Sequence, residues 1–144
     1  MIYRAEKQDI PAAAHLGAQL FESSTETELA KEFEELIRSE DCALFLLSIE
    51  DRPAGFAQCQ LRRDYVEGTT SSPVGYLEGI FVLPEYRSQG HARKLLAQCE
   101  QWARELGCKE FASDCELDNS DSLAFHLKAG FAEANRIICF TKHL

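Results

Sequence analysis

The amino-acid sequence predicts a single α/β domain in which helices and strands alternate along the chain and pack in layers. Two observations support this prediction. The spacing of hydrophobic residues changes repeatedly between the helical period and the short apolar runs that are typical of buried strands. The chain has 144 residues, 45 % of them hydrophobic, which suits one core, and no internal repeat or linker divides it.

The first half of the chain predicts a short strand, two helices and a β-hairpin. Pro11 is acceptable in the first turn of the first helix, and Thr25 followed by Glu28 has the spacing of a capping box at the start of the second. Residues 50–53, Glu-Asp-Arg-Pro, indicate a turn between two apolar runs. The predicted elements are a strand at 2–4, helices at 9–21 and after residue 25, and strands at 43–49 and 55–61.

The second half predicts a polar loop followed by alternating strands and helices. The loop at 62–73 is rich in Gly, Ser and Thr. The helix that begins at Gly90 is amphipathic, and Gly107 is a good C-terminal stop for it. The predicted elements are strands at 76–83 and 110–114, helices at 90–106 and 119–128, and one or two final strands within 131–142.

The net charge of −9, from 24 acidic and 15 basic residues, narrows the possible partners. Nucleic acid is an unsuitable partner, because binding to phosphates requires clustered Lys and Arg. An acidic protein suits a cationic substrate, since its field raises the local concentration of cations. Solubility alone also explains an acidic composition. The net charge therefore favours a cationic substrate only if carboxylates gather at a site.

The cysteine pattern and the hydropathy indicate where the protein works. None of the six cysteines forms a Cys-x-x-Cys pair, which argues against a structural zinc site and favours reduced thiols in a reducing compartment. No apolar run approaches the roughly 20 residues that span a membrane, and the N-terminal residues lack the layout of a signal peptide. We therefore expect a cytoplasmic protein with no metal and no membrane contact.

One segment has the features of a phosphate-binding turn. The strand that ends at Leu83 leads through Pro84 to a helix that begins near Gly90, where unpaired N–H groups and the helix dipole favour an anion. Small residues let a phosphate approach the backbone closely, and Arg87, Arg93 and Lys94 add positive charge. Many such turns only cap helices, and both the Walker pattern and the dinucleotide fingerprint are absent.

This segment resembles the acetyl-CoA motif of the GNAT superfamily of N-acetyltransferases. The resemblance rests on Arg87-x-x-Gly90-x-Ala92 after a strand that ends in Val82-Leu83-Pro84, and on a later helix that opens at Asn119 and ends at Gly130-Phe131. It implies one GNAT domain over residues 1–144, with helices on both faces of a mixed central sheet that splays at the motif strand. The implied acetyl-CoA contacts are Phe81, Val82, Leu83, Arg87, Gln89, Gly90, His91, Ala92, Arg93, Lys94 and Asn119.

His126 marks a departure from the superfamily pattern. Many members carry a Tyr four residues before the Gly of the Gly-Phe pair, where it is thought to protonate the leaving thiolate, and this chain has His126 there. A histidine, whose ordinary pKa is about 6.5, is able to donate that proton. The alternative is a packing or surface role.

A narrower resemblance is to the short, dimeric aminoglycoside 6'-N-acetyltransferases. It is carried by Asp64-Tyr65-Val66-x-Gly68, Ser71-Ser72-Pro73, the run 77–84 and Ala112-Ser113-Asp114. It implies direct transfer of acetyl from acetyl-CoA to the 6'-amine in a ternary complex, and a homodimer that exchanges or pairs C-terminal strands. The implied substrate contacts are Phe21, where relatives carry Trp; Tyr65; Glu78; Asp114; and Asn135, where some relatives place a partner's Glu.

Glu78 and Asp114 suit a polycationic substrate. A carboxylate is able to hold a protonated amine and then accept or relay its proton. The alternatives are an exposed strand acid for Glu78 and a helix cap for Asp114. Two other functions also stay open: a GNAT enzyme for a polyamine, peptide or lysine, and a non-catalytic module that binds acyl-CoA.

Overall fold

Five strands and four α-helices make up the chain in the computed structural model, which describes all 144 residues. They are β1 (Ile2–Arg4), α1 (Ile10–Leu20), α2 (Glu26–Ile37), β2 (Cys42–Ile49), β3 (Arg52–Arg62), β4 (Val74–Val82), α3 (His91–Glu105), β5 (Phe111–Ala112) and α4 (Ser120–Lys128). The spatial order of the strands follows the chain. Strands β1 to β4 pair antiparallel and β5 runs parallel to β4, so the sheet is mixed, as predicted.

Local sequence signals determine the starts of the first helices and the hairpin turn. Pro11 lies in the first turn of α1. The N–H of Glu28 donates to the Thr25 hydroxyl at 3.2 Å, and the Thr25 N–H donates back to the Glu28 carboxylate, so the predicted capping box is present. Glu50 and Asp51, with φ of 49° and 58°, turn the chain between β2 and β3.

The core has two halves, one on each face of the sheet. Helices α1 and α2 cover one face, where Phe33 and Phe56 are fully buried. Helix α3 covers the other face with Leu95 and Cys99, which are also fully buried, and Phe125 of α4 packs at the margin of the same cluster. The expected arrangement of helices on both faces is confirmed.

The sheet opens along β4, at the predicted motif strand. The register between β3 and β4 passes from Gln58 opposite Gly79 to Cys59 opposite Leu77, so Glu78 is the extra residue of a β-bulge. Strand β5 pairs with β4 only at Gly75 and Tyr76. Beyond Tyr76 no strand lies beside β4 on that side, which leaves a cleft between β4 and the chain that follows β5.

The C-terminal segment differs from the sequence prediction. No strand forms after Ala112, so the expected strands within 131–142 are wrong for the single chain, and the strand predicted at 110–114 is only two residues long. A strand requires a neighbouring ladder, and the splayed sheet offers none here. Residues 132–144 are exposed, and Ile137, Ile138 and Phe140 are 68, 80 and 87 % accessible.

Two further features bear on the classes of function. None of the helices combines the length and the apolar character that crossing a lipid bilayer requires. No three His, Cys, Asp or Glu side chains lie close enough together to hold a metal ion.

Candidate active site

The N-terminus of α3 is open to an anion. Gly90 caps it in the left-handed region, with φ of 83°, and supplies no capping side chain. A β-carbon added to Gly90 would meet no atom within 4 Å. The backbone N–H groups of Gly90, His91, Ala92 and Arg93 have no partner in the chain, so they point unpaired N–H dipoles outward.

The neighbouring residues do not all play the roles that the sequence suggested. The N–H of Lys94 donates to the Gly90 carbonyl at 3.2 Å and is therefore not free for an anion. The side chains of His91 and Lys94 line a cavity of about 370 Å³ with Met1 and Leu47, on the side of α3 away from the cleft. Gln89 donates to the carbonyl of the preceding 3₁₀ turn, at residue 85, at 3.4 Å. Arg93 is exposed.

The backbone of β4 presents only some of the expected groups to the cleft. The Leu83 N–H donates to the Ala54 carbonyl at 2.8 Å, toward β3, and the Leu83 carbonyl accepts from the Tyr86 N–H at 2.9 Å. Backbone groups alternate in direction along a strand, so Phe81 also faces β3, whereas Val82 faces the cleft. The Val82 carbonyl accepts a bond from Arg87 Nε at 2.7 Å. The Val82 N–H is therefore the best-placed donor of these three residues.

The two predicted carboxylates belong to one network that joins three parts of the chain. Arg62, at the end of β3, donates to Glu78 Oε1 from Nη2 at 2.7 Å and from Nε at 3.2 Å. Its guanidinium lies over the Tyr76 ring, with Cζ 3.4 Å from the ring centroid. The Tyr76 hydroxyl donates to Asp114 Oδ2. Glu78 and Asp114 are thus connected through two side chains that sequence reasoning missed.

Burial and the neighbouring carboxylate keep the Tyr76 phenol protonated. The ring is 7 % exposed, and burial first, then the hydrogen bond and negative charge of Asp114, raise the pKa of Tyr76 above its ordinary value. Tyr76 is therefore a permanent donor to Asp114 at neutral pH. Sequence reasoning treated Tyr76 as the start of a strand and Arg62 as a loop residue, and only the β3–β4 register brings them together.

The structure removes the alternative roles of both carboxylates. The Glu78 side chain is 22 % exposed and paired with Arg62, so it is not a free surface acid. Asp114 does not cap α4, because Asn119 does so by accepting the Ser122 N–H at 3.1 Å. That cap occupies Oδ1 of Asn119, which was expected to contact the cofactor, and leaves its amide NH₂ available.

His126 has protein partners at both ring nitrogens. Nδ1 lies 2.7 Å from the Ser122 carbonyl, which only accepts, so Nδ1 carries a proton. Nε2 lies 2.8 Å from the Ser113 hydroxyl, and the ring packs against Phe131 with 5.1 Å between centroids. In the neutral ring, Nε2 accepts from Ser113. In the imidazolium, Nε2 carries a second proton and donates to Ser113 Oγ, so a proton from His126 would reach the cleft through the Ser113 hydroxyl and leave the neutral ring behind.

The remaining predicted substrate residues lie in two places. Phe21 follows α1 directly and lies beside the bulge, where a β-carbon on Gly79 would be 2.7 Å from its ring. Tyr65 is 75 % exposed on the loop after β3. The Asn135 amide donates to Glu67 of the same loop at 2.8 Å. Phe21 thus lies beside Gly79, next to Glu78 in the chain. Tyr65 lies on the loop after β3, and Asn135 ties the C-terminal segment to the same loop.

Comparison with known proteins identifies the family. The profile of the acetyltransferase (GNAT) family matches residues 10–131. The chain belongs to the GNAT family. This confirms the family that the sequence motifs indicated, and it agrees with the bulged, splayed sheet and the open N-terminus of α3.

Several GNAT relatives match most or all of the chain. The aminoglycoside N(6')-acetyltransferase type 1 of Serratia marcescens is 36 % identical over 145 residues, which covers 100 % of this chain and 99 % of the relative. The enzyme of the same name from Acinetobacter haemolyticus is 42 % identical over 123 residues, covering 85 % and 84 %. Both are acetyltransferases of a 6'-amine by name.

Two solved structures match this chain over its full length. AAC(6')-Iy in complex with the bisubstrate analogue CoA-S-monomethyl-acetylneamine has a TM-score of 0.96 and 35 % identity, covering 100 % of this chain and 98 % of that one. AAC(6')-Ih from Acinetobacter baumannii has a TM-score of 0.94 and 36 % identity, with the same coverage. The predicted GNAT fold is therefore confirmed.

The site of this GNAT chain fits acetyl-CoA, the acetyl donor of the family. The free N–H groups of residues 90–93 and the open space at Gly90 suit a pyrophosphate. The unpaired edge of β4 after the bulge suits a ligand that forms hydrogen bonds as a strand would. Acetyl-CoA supplies an activated acetyl group when it is bound.

Proposed function

We propose that this GNAT enzyme is an aminoglycoside 6'-N-acetyltransferase, which transfers acetyl from acetyl-CoA to the 6'-amine of an aminoglycoside within a ternary complex. The observation that carries the proposal is the linked pair of carboxylates, Glu78 and Asp114, at the cleft where β4 and β5 part. An acidic site in a chain of net charge −9 suits a polycation. The names of the relatives point to the same reaction.

Asp114 and Glu78 have different parts in this proposal. Arg62 compensates the charge of Glu78, so Glu78 acts mainly as a hydrogen-bond acceptor that orients the amine. Asp114 accepts only from the neutral Tyr76 hydroxyl, so no cation of the chain compensates it. Asp114 is therefore the stronger attraction for an ammonium and the better acceptor of its proton, which must leave before the amine is nucleophilic.

The other site residues position the two substrates. The N–H groups at the start of α3 hold the pyrophosphate, and the Val82 N–H faces the pantetheine arm. Phe21 offers a ring beside Glu78 for stacking on a sugar, and Tyr65 and Asn135 contact the far side of the drug. His126, in its imidazolium form, passes the Nε2 proton to Ser113 Oγ while the Ser113 hydroxyl proton goes to the departing sulfur, which leaves a neutral ring and a free thiol. Holding both substrates in one geometry supplies much of the rate.

We also propose that the working enzyme is a cytoplasmic homodimer of one-domain chains, with residues 1–144 forming the domain. The apolar residues Ile137, Ile138 and Phe140 are 68, 80 and 87 % exposed in the single chain. An apolar segment of this kind is a poor free edge and is expected to pair with a second copy. Acetyl-CoA and the six free cysteines suit a reducing cytoplasm.

A turnover assay with several amines tests the proposed function. Purified enzyme, acetyl-CoA and a thiol reporter are combined with kanamycin A, tobramycin, paromomycin or spermidine. Kanamycin A and tobramycin carry a 6'-amine and are expected to be acetylated, whereas paromomycin carries a 6'-hydroxyl and is expected to be a poor substrate. N-acetylation of paromomycin at an equal rate would exclude the 6'-position. A preference for spermidine would indicate a polyamine enzyme, and no turnover of any amine would indicate a binding module.

A further inference from the structure

We infer that Arg62 and Tyr76 form a positioning bridge between the two carboxylates of the amine site, so that Glu78 and Asp114 act as one unit. The inference rests on the proposed function of this site as the place where a cationic amine binds. It assigns a role to two residues that touch the carboxylates, and it explains why an arginine lies in a site for cations.

The geometry of the bridge restrains each carboxylate from one side. Arg62 holds a single oxygen of Glu78, Oε1, with two donors at 2.7 and 3.2 Å. Tyr76 holds a single oxygen of Asp114, Oδ2. The opposite oxygen of each carboxylate makes no hydrogen bond within the chain and is free for an amine. The bridge thereby orients both free oxygens without occupying them.

The flat stack of Arg62 on Tyr76 connects the two halves of the bridge. The guanidinium carbon lies 3.4 Å from the ring centroid, so a shift of either group moves the other. Glu78 is the extra residue of the bulge, and such a residue has no ladder partner to fix its direction. Asp114 lies after the two-residue strand β5, where the sheet no longer supports the backbone. The bridge replaces the missing support at both places.

The charge of Arg62 gives the bridge a distinctive kinetic signature. Arg62 repels a cationic substrate while it orients Glu78. Removing it is expected to slow the reaction without weakening substrate binding, because the lost orientation and the lost repulsion act on different steps. A residue that served only the fold would lower stability and impair both substrates together.

The bridge is tested with Arg62→Gln, Arg62→Lys and Tyr76→Phe, measured with kanamycin A and, separately, with spermidine. Tyr76→Phe keeps the ring under Arg62 and removes only the hydroxyl. We expect kcat to fall about tenfold in Arg62→Gln and in Tyr76→Phe, the factor that accompanies loss of one hydrogen bond to a charged group. The KM for the amine should not rise in Arg62→Gln. Arg62→Lys should recover part of kcat, since it keeps the charge but not the planar fork.

A double-mutant cycle shows whether the bridge acts through the carboxylates. Tyr76→Phe should have little further effect on kcat in an Asp114→Ala background, and Arg62→Gln little further effect in a Glu78→Ala background, because each alanine removes the oxygen that the bridge holds. Arg63→Gln is the matched control, because Arg63 pairs with Asp41 outside the site, and it should leave kcat unchanged. Calorimetry with kanamycin A alone and thermal melting of each variant separate binding and folding from catalysis.

The outcomes separate the inference from the proposed function. Absence of kanamycin turnover by the wild-type enzyme, with turnover of spermidine, would overturn the 6'-aminoglycoside function while the cycle still tests the bridge. Wild-type kcat in Tyr76→Phe, or additive effects in both cycles, would overturn the bridge while the function stands. If Arg62→Gln does not fold, the kcat values of Tyr76→Phe and Arg62→Lys test the bridge: wild-type kcat in both would overturn it.

Discussion

Arg87 Nε donates a 2.7 Å hydrogen bond to the carbonyl oxygen of Val82, and so ties the turn before α3 to the last residue of β4. The guanidinium also lies 5.4 Å from the Phe81 ring centroid. Because of this bond, Arg87 organises the turn as well as adding positive charge. The strand edge and the N-terminus of α3, which are proposed to hold the pantetheine arm and the adjoining pyrophosphate of one cofactor, are therefore fixed relative to each other.

Gly90→Val is expected to weaken acetyl-CoA binding at least about tenfold, or 1.4 kcal/mol, by calorimetry. The branched side chain would fill the open space in front of the free N–H groups of α3. Gly107→Val is the matched control, because Gly107 has a similar φ of 88°, equally open surroundings and a position at the other end of α3. In both variants the valine is strained, because the backbone there is in the left-handed region. Only Gly90→Val should also bind acetyl-CoA more weakly. Equal affinity of the two variants for acetyl-CoA would show that the pyrophosphate does not bind at this turn.

Asp114→Asn is expected to lower kcat/KM for kanamycin A at least about tenfold while acetyl-CoA affinity stays near that of the wild type. The amide keeps the shape and an oxygen that accepts from Tyr76, and it loses the charge that attracts the ammonium. A fall in kcat with loss of the acidic limb of the pH–rate profile would indicate proton transfer, whereas a rise in KM alone would indicate binding. Asp118→Asn, on the same loop, is the control, and a similar loss there would point to a general effect of net charge.

His126→Phe is expected to lower kcat by about 100-fold, the usual scale for loss of a general acid, without weakening either substrate. The phenyl ring retains the packing against Phe131 and removes both ring nitrogens. Ser113→Ala should lower kcat to a similar extent, because the proton is proposed to pass through that hydroxyl. His15→Phe serves as control, since His15 is exposed beside Glu26. Normal kcat in both site variants would favour a mechanism that rests on positioning alone.

Phe140→Glu together with Ile138→Glu is expected to convert a dimer at micromolar concentration into a monomer of 16.2 kDa, measured by light scattering. The two apolar side chains are 87 and 80 % exposed in the single chain, and a charge on each would prevent their burial against a second copy. Leu117→Glu is the control, because Leu117 is 78 % exposed but lies on another loop. A wild-type mass of 16.2 kDa would contradict the dimer.

Much of the fold follows from local signals that the sequence states directly. The Thr25–Glu28 capping box, Pro11 in the first turn of α1 and Gly107 after α3 fix helix ends through bonds between near neighbours. The strands 43–49 and 55–61 lie within β2 and β3 because their apolar runs are long enough to be buried on both faces. The final strands could not be predicted correctly, since a strand depends on a partner that local pattern does not supply.

The residues of the candidate site also divide into those that local sequence patterns indicate and those that depend on tertiary contacts. Glu78, Asp114 and His126 were found from residue types at motif positions, and the turn before α3 from its small residues and unpaired N–H groups. Arg62, Tyr76 and Ser113 were assigned no role, because their contacts cross between β3, β4, β5 and α4 and depend on register.

By itself the sequence determined the GNAT family, the order of the elements as far as α4 and the chemistry of the candidate residues, because helix caps, hydrophobic periods and short motifs act between near neighbours. Only the tertiary structure decided which carboxylate is paired with a cation and which accepts from a neutral hydroxyl. The bulge at Glu78 and the parting of β4 from β5 at Tyr76 bring Arg62 to one carboxylate and a phenol to the other. Such pairings depend on strand register, which is set by the packing of the whole sheet.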